Sequence, residues 1–137
     1  MFSRERGGPP ALRGLSFLLP YIRVAGLIGL CLIVVLSVVP GRAQIRTPAP
    51  KDWEHFAAYF MVASTLALGF GIRRPIFVTA ILMFLITVSG ALEMVQELVP
   101  GRTGRLADWK ASAMGAALGT AFAIILGKLL VATDRQP

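Results

Sequence analysis

Residues 24–39 carry no charged side chain, and only Pro40, Gly41 and Arg42 bring the run to an end. A stretch this long and apolar either crosses a bilayer or is buried on every side of a large soluble core. The second option needs more chain than there is. With 137 residues, 55% of them hydrophobic and 15% charged, and a mean hydropathy of +0.71, a soluble domain could not hide its apolar surface. Lipid removes that conflict, so the chain is expected to be membrane-embedded.

Three more apolar runs follow. The second starts at His55 with only its first turn polar, the third follows Arg73-Arg74-Pro75, and the fourth follows a charged loop at 102–110. The spans are placed at about 21–39, 55–72, 76–99 and 111–132. Each must be helical, because the hydrocarbon offers backbone groups no other hydrogen-bond partner and the runs are too long for barrel strands. The expected fold is therefore all-α: a polytopic membrane protein, a four-transmembrane-helix bundle with short loops. Residues 1–14, with Arg4, Arg6 and Arg13 among Gly7, Gly8, Pro9 and Pro10, read as a disordered basic cytoplasmic tail; residues 15–132 form the membrane domain and 133–137 a polar tail. Gly41-Arg42-Ala43 also fits a signal-peptidase site, but with further spans to follow an uncleaved anchor suffices.

The net charge of +7 comes from fourteen basic residues scattered between apolar runs, with no continuous basic stripe. Nucleic acid is not an expected partner. Lys and Arg that flank membrane spans set orientation and attract anionic head groups, so membrane lipids are. Arg4, Arg6, Arg13, Arg23, Arg73, Arg74, Lys128 and Arg135 fall on one side, against Arg42, Arg46, Lys51, Arg102, Arg105 and Lys110 on the other. The balance puts both termini in the cytoplasm, with the very short Arg73-Arg74 turn weighing most. Trp53 and Trp109 then start spans on the outer side, either as interfacial anchors or as packing residues. The single cysteine, Cys31, reads as a small buried hydrophobe.

The polar residues inside these runs are the candidates for chemistry. Glu93, Gln96, Glu97 and Pro100 are spaced to share one face of the third span. Glu93 lies about 9 Å below Val99 along a helix. An ionised carboxylate at such depth costs ~2–3 kcal/mol unless paired, so it should face inward. Asp52, His55 and Tyr59 mark the outer edge of the second span, and Asp108 and Ser112 that of the fourth, so three clusters reach one membrane face. Two uses stay open. In one, Glu93 and His55 transfer protons or bind a head group while Arg102 and Arg105 receive a phosphate or carboxylate. In the other, Glu93, Arg102 and Asp108 form an ion-pair network that pins the outer loop. With one His and no Cys pair, a zinc site would need mostly carboxylates, and neither metal nor cofactor is expected. Gly115 and Gly119 begin a small-residue stripe, continued by Ala123 and Gly127, that packs helices within the monomer or in a homodimer.

Glu93-x-x-Gln96, then Pro100-Gly101-Arg102, then Asp108 with Gly115 and Gly119, preceded by His55-Phe56 and Tyr59, resembles the VanZ-like family of bacterial membrane proteins. The likeness covers about residues 51–119. It implies a four-helix protein of the bacterial inner membrane with the motif at the outer face, its positions falling on His55, Glu93, Gln96, Arg102 and Asp108. The family's namesake is associated with resistance to the glycopeptide teicoplanin, and no settled activity follows. Two departures stand out. Lys51 precedes Asp52 where the order is usually reversed, and Ser112 stands near where an Asn is usual. The function expected is a cell-envelope protein whose outer pocket binds or modifies a lipid or lipid-linked precursor; the alternative is a non-enzymatic structural or partner-binding factor.

Overall fold

The computed structural model of the chain describes residues 10–40, 43, 48–71 and 74–133, and among these all regular structure is helical. Four helices follow one another: α1 Pro10–Val38, α2 Lys51–Leu66, α3 Pro75–Gln96 and α4 Leu106–Thr133. Three of them, α1, α3 and α4, contain stretches long and apolar enough to cross a membrane. They mark a membrane-embedded protein. The second expected span is the shorter α2, of 16 residues, which continues as a five-residue π turn, Ala67–Gly71. Residues 1–9 and 134–137 and the side chains of Arg42, Arg46 and Arg73 lie outside the described residues.

Prolines set two of the starts. Pro10 and Pro75 stand at the beginnings of α1 and α3, where a missing backbone donor costs nothing. The helix therefore takes in residues 10–14, which the sequence assigns to the tail. Asp52 and Glu54 in the first turn of α2, and Asp108 in that of α4, put negative charge at the positive end of each helix dipole. For that reason α4 begins at Leu106, several residues inside the loop expected from hydropathy. α3 stops at Gln96 because the chain tightens there: the Leu98 and Val99 amides donate to the carbonyls three residues back, and Gly101 at φ 77° makes the turn. Glu97 and Pro100 thus leave the helix, and the shared face reduces to Glu93 and Gln96.

α2 is the centre of the bundle. Its most extensive packing is against α4, followed by α1, while α3 packs mainly on α4. The core is small, built from Tyr59, Val62, Ala63, Leu66, Leu85 and Ala116, whereas Leu27, Ile28, Phe84, Met94, Phe122 and Ile125 face outward. That inversion of the soluble pattern suits a hydrocarbon solvent, where close packing of small residues holds helices together. Gly115 and Gly119 supply it: a Cβ on either would run into the Phe56 or Phe60 carbonyl of α2. Ser64 adds a hydroxyl bond to the Gly119 carbonyl at 3.1 Å. The stripe is used within the monomer.

Other links tie the rest together. In the π turn the Gly69 carbonyl accepts from Arg23 Nε at 2.7 Å, and the same guanidinium lies 5.2 Å from the centre of the Phe70 ring. Cys31 is exposed, contrary to its reading as a buried hydrophobe, because α1 packs by one face only. The two tryptophans divide the roles left open for them. Trp53 is 65% exposed, while Trp109 packs against Gly90 and donates from Nε1 to the Ile86 carbonyl at 3.2 Å. Trp109→Phe should lower stability by about 0.6 kcal/mol, the typical worth of an interhelical hydrogen bond in a membrane protein. Thermal unfolding in detergent measures this, with Trp53→Phe as the unaffected control.

Candidate functional site

Three helix ends and one loop meet at the same level of the bundle. The first turn of α2 brings Lys51, Asp52 and His55; the last turn of α3 brings Glu93 and Gln96; the following loop brings Arg102 and Arg105; and the start of α4 brings Asp108 and Ser112. Local sequence explains each arrival. Position 55 lies one turn from 51, 96 lies one turn from 93, and 112 lies one turn from 108, so each helix offers paired polar groups on one face.

At the centre, one ligand-type atom from each of His55, Glu93 and Asp108 lies within 4.8 Å of the other two. Two carboxylates that close repel by about 3 kcal/mol at an effective dielectric of about 20, so cations must answer them. Lys51 does so at Asp108, forming an ion pair through Oδ2, and Arg105 approaches Oδ1 at 3.7 Å while also reaching Asp52 at 3.5 Å. Asp108 is 0% exposed and its carboxylate accepts no conventional hydrogen bond among the described residues. Glu93 is held differently: Oε2 accepts the Arg105 backbone N–H at 2.9 Å and Oε1 stands 3.6 Å from His55 Nδ1.

His55 Nδ1 also lies 3.3 Å from Ser112 Oγ, whose hydroxyl donates to the Asp108 carbonyl at 2.9 Å. One ring nitrogen therefore faces both the serine and the glutamate. A nucleophile–base–acid relay needs opposite nitrogens of the ring, so Ser112 is not placed as an activated nucleophile. It orients the ring.

Beside this network is a cleft of about 490 Å³. Its lining is mixed, with the apolar Ile33, Leu36, Val39 and Leu92 and the polar Glu54, His55, Tyr59, Glu93, Gln96 and Arg102. Gln96 is 1% exposed and its Oε1 accepts no hydrogen bond among the described residues. An unanswered buried acceptor costs about 1–3 kcal/mol. A larger cavity of about 720 Å³ lies at the opposite end of the bundle, lined by Ala67, Gly71, Pro75, Val78, Ala123 and Gly127. Among the described residues lining it, Lys128 is the titratable one.

No family model, curated protein or solved structure matches this chain. Of the residues singled out in the sequence, His55, Glu93 and Asp108 come together, Tyr59, Gln96 and Arg102 line the cleft, and Asp52 and Arg105 pair at its edge. Gly115 and Gly119 lie apart, against α2. Arg102 turns toward α1, where Nη1 donates to the Leu36 carbonyl at 2.7 Å and the Val39 carbonyl at 3.3 Å. Sequence reasoning counted Lys51 only toward orientation and as a departure from the motif, and gave neither Lys51 nor Glu54 a role in the site. Lys51 was detectable as the residue one turn before His55, but Glu54 carries no such signal.

Proposed function

We propose that the chain is a VanZ-like, four-span protein of the bacterial inner membrane, termini in the cytoplasm, whose outer-face cleft binds the head group of a membrane lipid or lipid-linked envelope precursor. The three apolar helices and the positive-inside balance support the topology. So does the extent of α2 with its π turn, roughly 30 Å at about 1.5 Å per residue, close to the hydrocarbon thickness. Its polar first turn lies where an outer interface would be.

The observation that carries the binding role is the buried, unanswered Gln96 oxygen in a cleft lined by both apolar and polar side chains. A lipid has the same mixed character. Its acyl portion matches Ile33, Leu36 and Leu92, and a head-group hydroxyl or ammonium donates to Gln96, beside Tyr59, His55 and Glu93. His55 and Glu93 face each other in the cleft, a pair suited to moving a proton should the head group be modified.

Native mass spectrometry of protein extracted with its lipids tests the reading. Gln96→Leu, close in volume but without the acceptor, should lower retention of the bound lipid about tenfold, the equivalent of about 1.4 kcal/mol. An unchanged lipid profile in a folded Gln96→Leu protein sinks the proposal. A second reading, a non-enzymatic factor in which the motif only braces the bundle, draws on the Arg102 bonds to the end of α1. It expects Arg102→Ala to destabilise the protein and leave lipid retention alone.

A further inference from the structure

We propose that His55, Glu93 and Asp108 form a binding site for a divalent transition-metal ion at the floor of the cleft. The donor set is one imidazole nitrogen and two carboxylates from three different helices, all within 4.8 Å of one another. Metal–ligand bonds of about 2.0–2.2 Å put neighbouring donors roughly 3.0–3.6 Å apart, so a contraction of about 1–2 Å from the 4.8 Å spread closes the set. Glu93 and Asp108 are buried, and their two charges neutralise a divalent ion.

Two further observations point to a cation here. Among the described residues the ion-pair partners of the fully buried Asp108 carboxylate are the cations Lys51 and Arg105, and it accepts no conventional hydrogen bond although the Glu93 carboxylate also lies within 4.8 Å. The site thus already attracts positive charge, in the form of the Lys51 ammonium. Lys51 is 34% exposed, so it can swing into solvent, and Arg105 keeps Asp52 as its partner. Glu93 is pre-oriented as well: the Arg105 amide fixes Oε2 and leaves Oε1 turned to His55, the outer-shell support that metal ligands require. His55 and Glu93 line the cleft while Asp108 does not. An ion held by the three has its open coordination side toward the cleft, where it would grip a phosphate oxygen. That last role rests on the head-group reading; the metal site does not.

Titration of the purified full-length protein, stripped with chelator, with Zn²⁺ and separately with Mn²⁺ tests the site. Wild type should bind one ion, and His55→Gln and Asp108→Asn should each weaken binding by roughly tenfold to a hundredfold. Lys51→Met should strengthen it by roughly tenfold, because it removes the competing ammonium. This gain separates a metal site from a salt-bridge network, in which the lysine has no competitor. His55→Gln changes no formal charge in the network, so the test survives if Asp108→Asn does not fold. No binding by wild type and Lys51→Met alike, or equal binding by wild type and His55→Gln, overturns the proposal. Lipid retention that persists in chelator without metal binding overturns it too and leaves the head-group reading standing. Metal binding in a protein that retains no lipid supports the site and removes the head-group reading instead.

Discussion

Replacing Gly119 with leucine should abolish the folded protein, or lower its stability by at least about 3 kcal/mol, because no room exists between α4 and α2. A Cβ at that position meets the Phe60 carbonyl, and at Gly115 it meets the Phe56 carbonyl. Both obstacles are backbone atoms in the most extensively packed helix pair, so neither can rotate aside. The helices must separate instead. Separation also breaks the Ser64 bond to the Gly119 carbonyl and the Phe60–Phe122 ring contact at 5.8 Å. Lipid gives no hydrophobic reward for bringing these helices back together, so lost packing is not recovered elsewhere. Leu118→Ala, on the exposed side of α4, is the control and should stay within about 0.5 kcal/mol. Unfolding in graded SDS, with the yield of monodisperse protein as a second readout, measures the difference. Wild-type-like stability of Gly119→Leu would mean that α2 and α4 do not touch along this stripe.

The helices were legible because apolar runs in a membrane have one backbone solution. Their ends were less so. Hydropathy carries the third span to residue 99, yet α3 closes at Gln96 through short-range turns that hydropathy does not sense. It also starts the fourth span at residue 111, missing the turn that Asp108 stabilises at the head of α4. α2 is the span whose length departs from expectation, with 16 residues before the π turn Ala67–Gly71 interrupts the α-helix, a change of hydrogen bonding that an apolar run does not announce. For the site, the i, i+3 and i, i+4 spacings identified which side chains share a face of each helix. They could not say which faces meet. That Lys51 reaches Asp108, 57 positions along the chain, and that Arg102 turns to the carbonyls of α1 both depend on helix placement in space. The small-residue stripe announced a close approach, but nothing local named α2 as the partner.

Lys51 and Asp108 should prove strongly and unequally coupled. Among the described ion pairs, Lys51→Met leaves the fully buried carboxylate with the Arg105 guanidinium, 3.7 Å away and half exposed, to answer it. Stranding one member of a buried pair costs about 3–5 kcal/mol, reduced here to about 2–3 kcal/mol because Lys51 itself reaches solvent. Asp108→Asn should cost less, about 1 kcal/mol, since the released ammonium can turn to water and the amide keeps the shape of the carboxylate. The double variant removes both charges and should lie near the Asp108→Asn value, giving a coupling of about 2 kcal/mol in a double-mutant cycle. Glu93 sharpens the asymmetry: with Lys51 gone, two carboxylates within 4.8 Å share fewer cations, so the loss on Lys51→Met carries their mutual repulsion as well. SDS unfolding of the four proteins at neutral pH, in chelator, supplies the cycle. Additive effects of the two substitutions would mean that Lys51 and Asp108 do not pair, and the electrostatic account of this end of the bundle would fall with them.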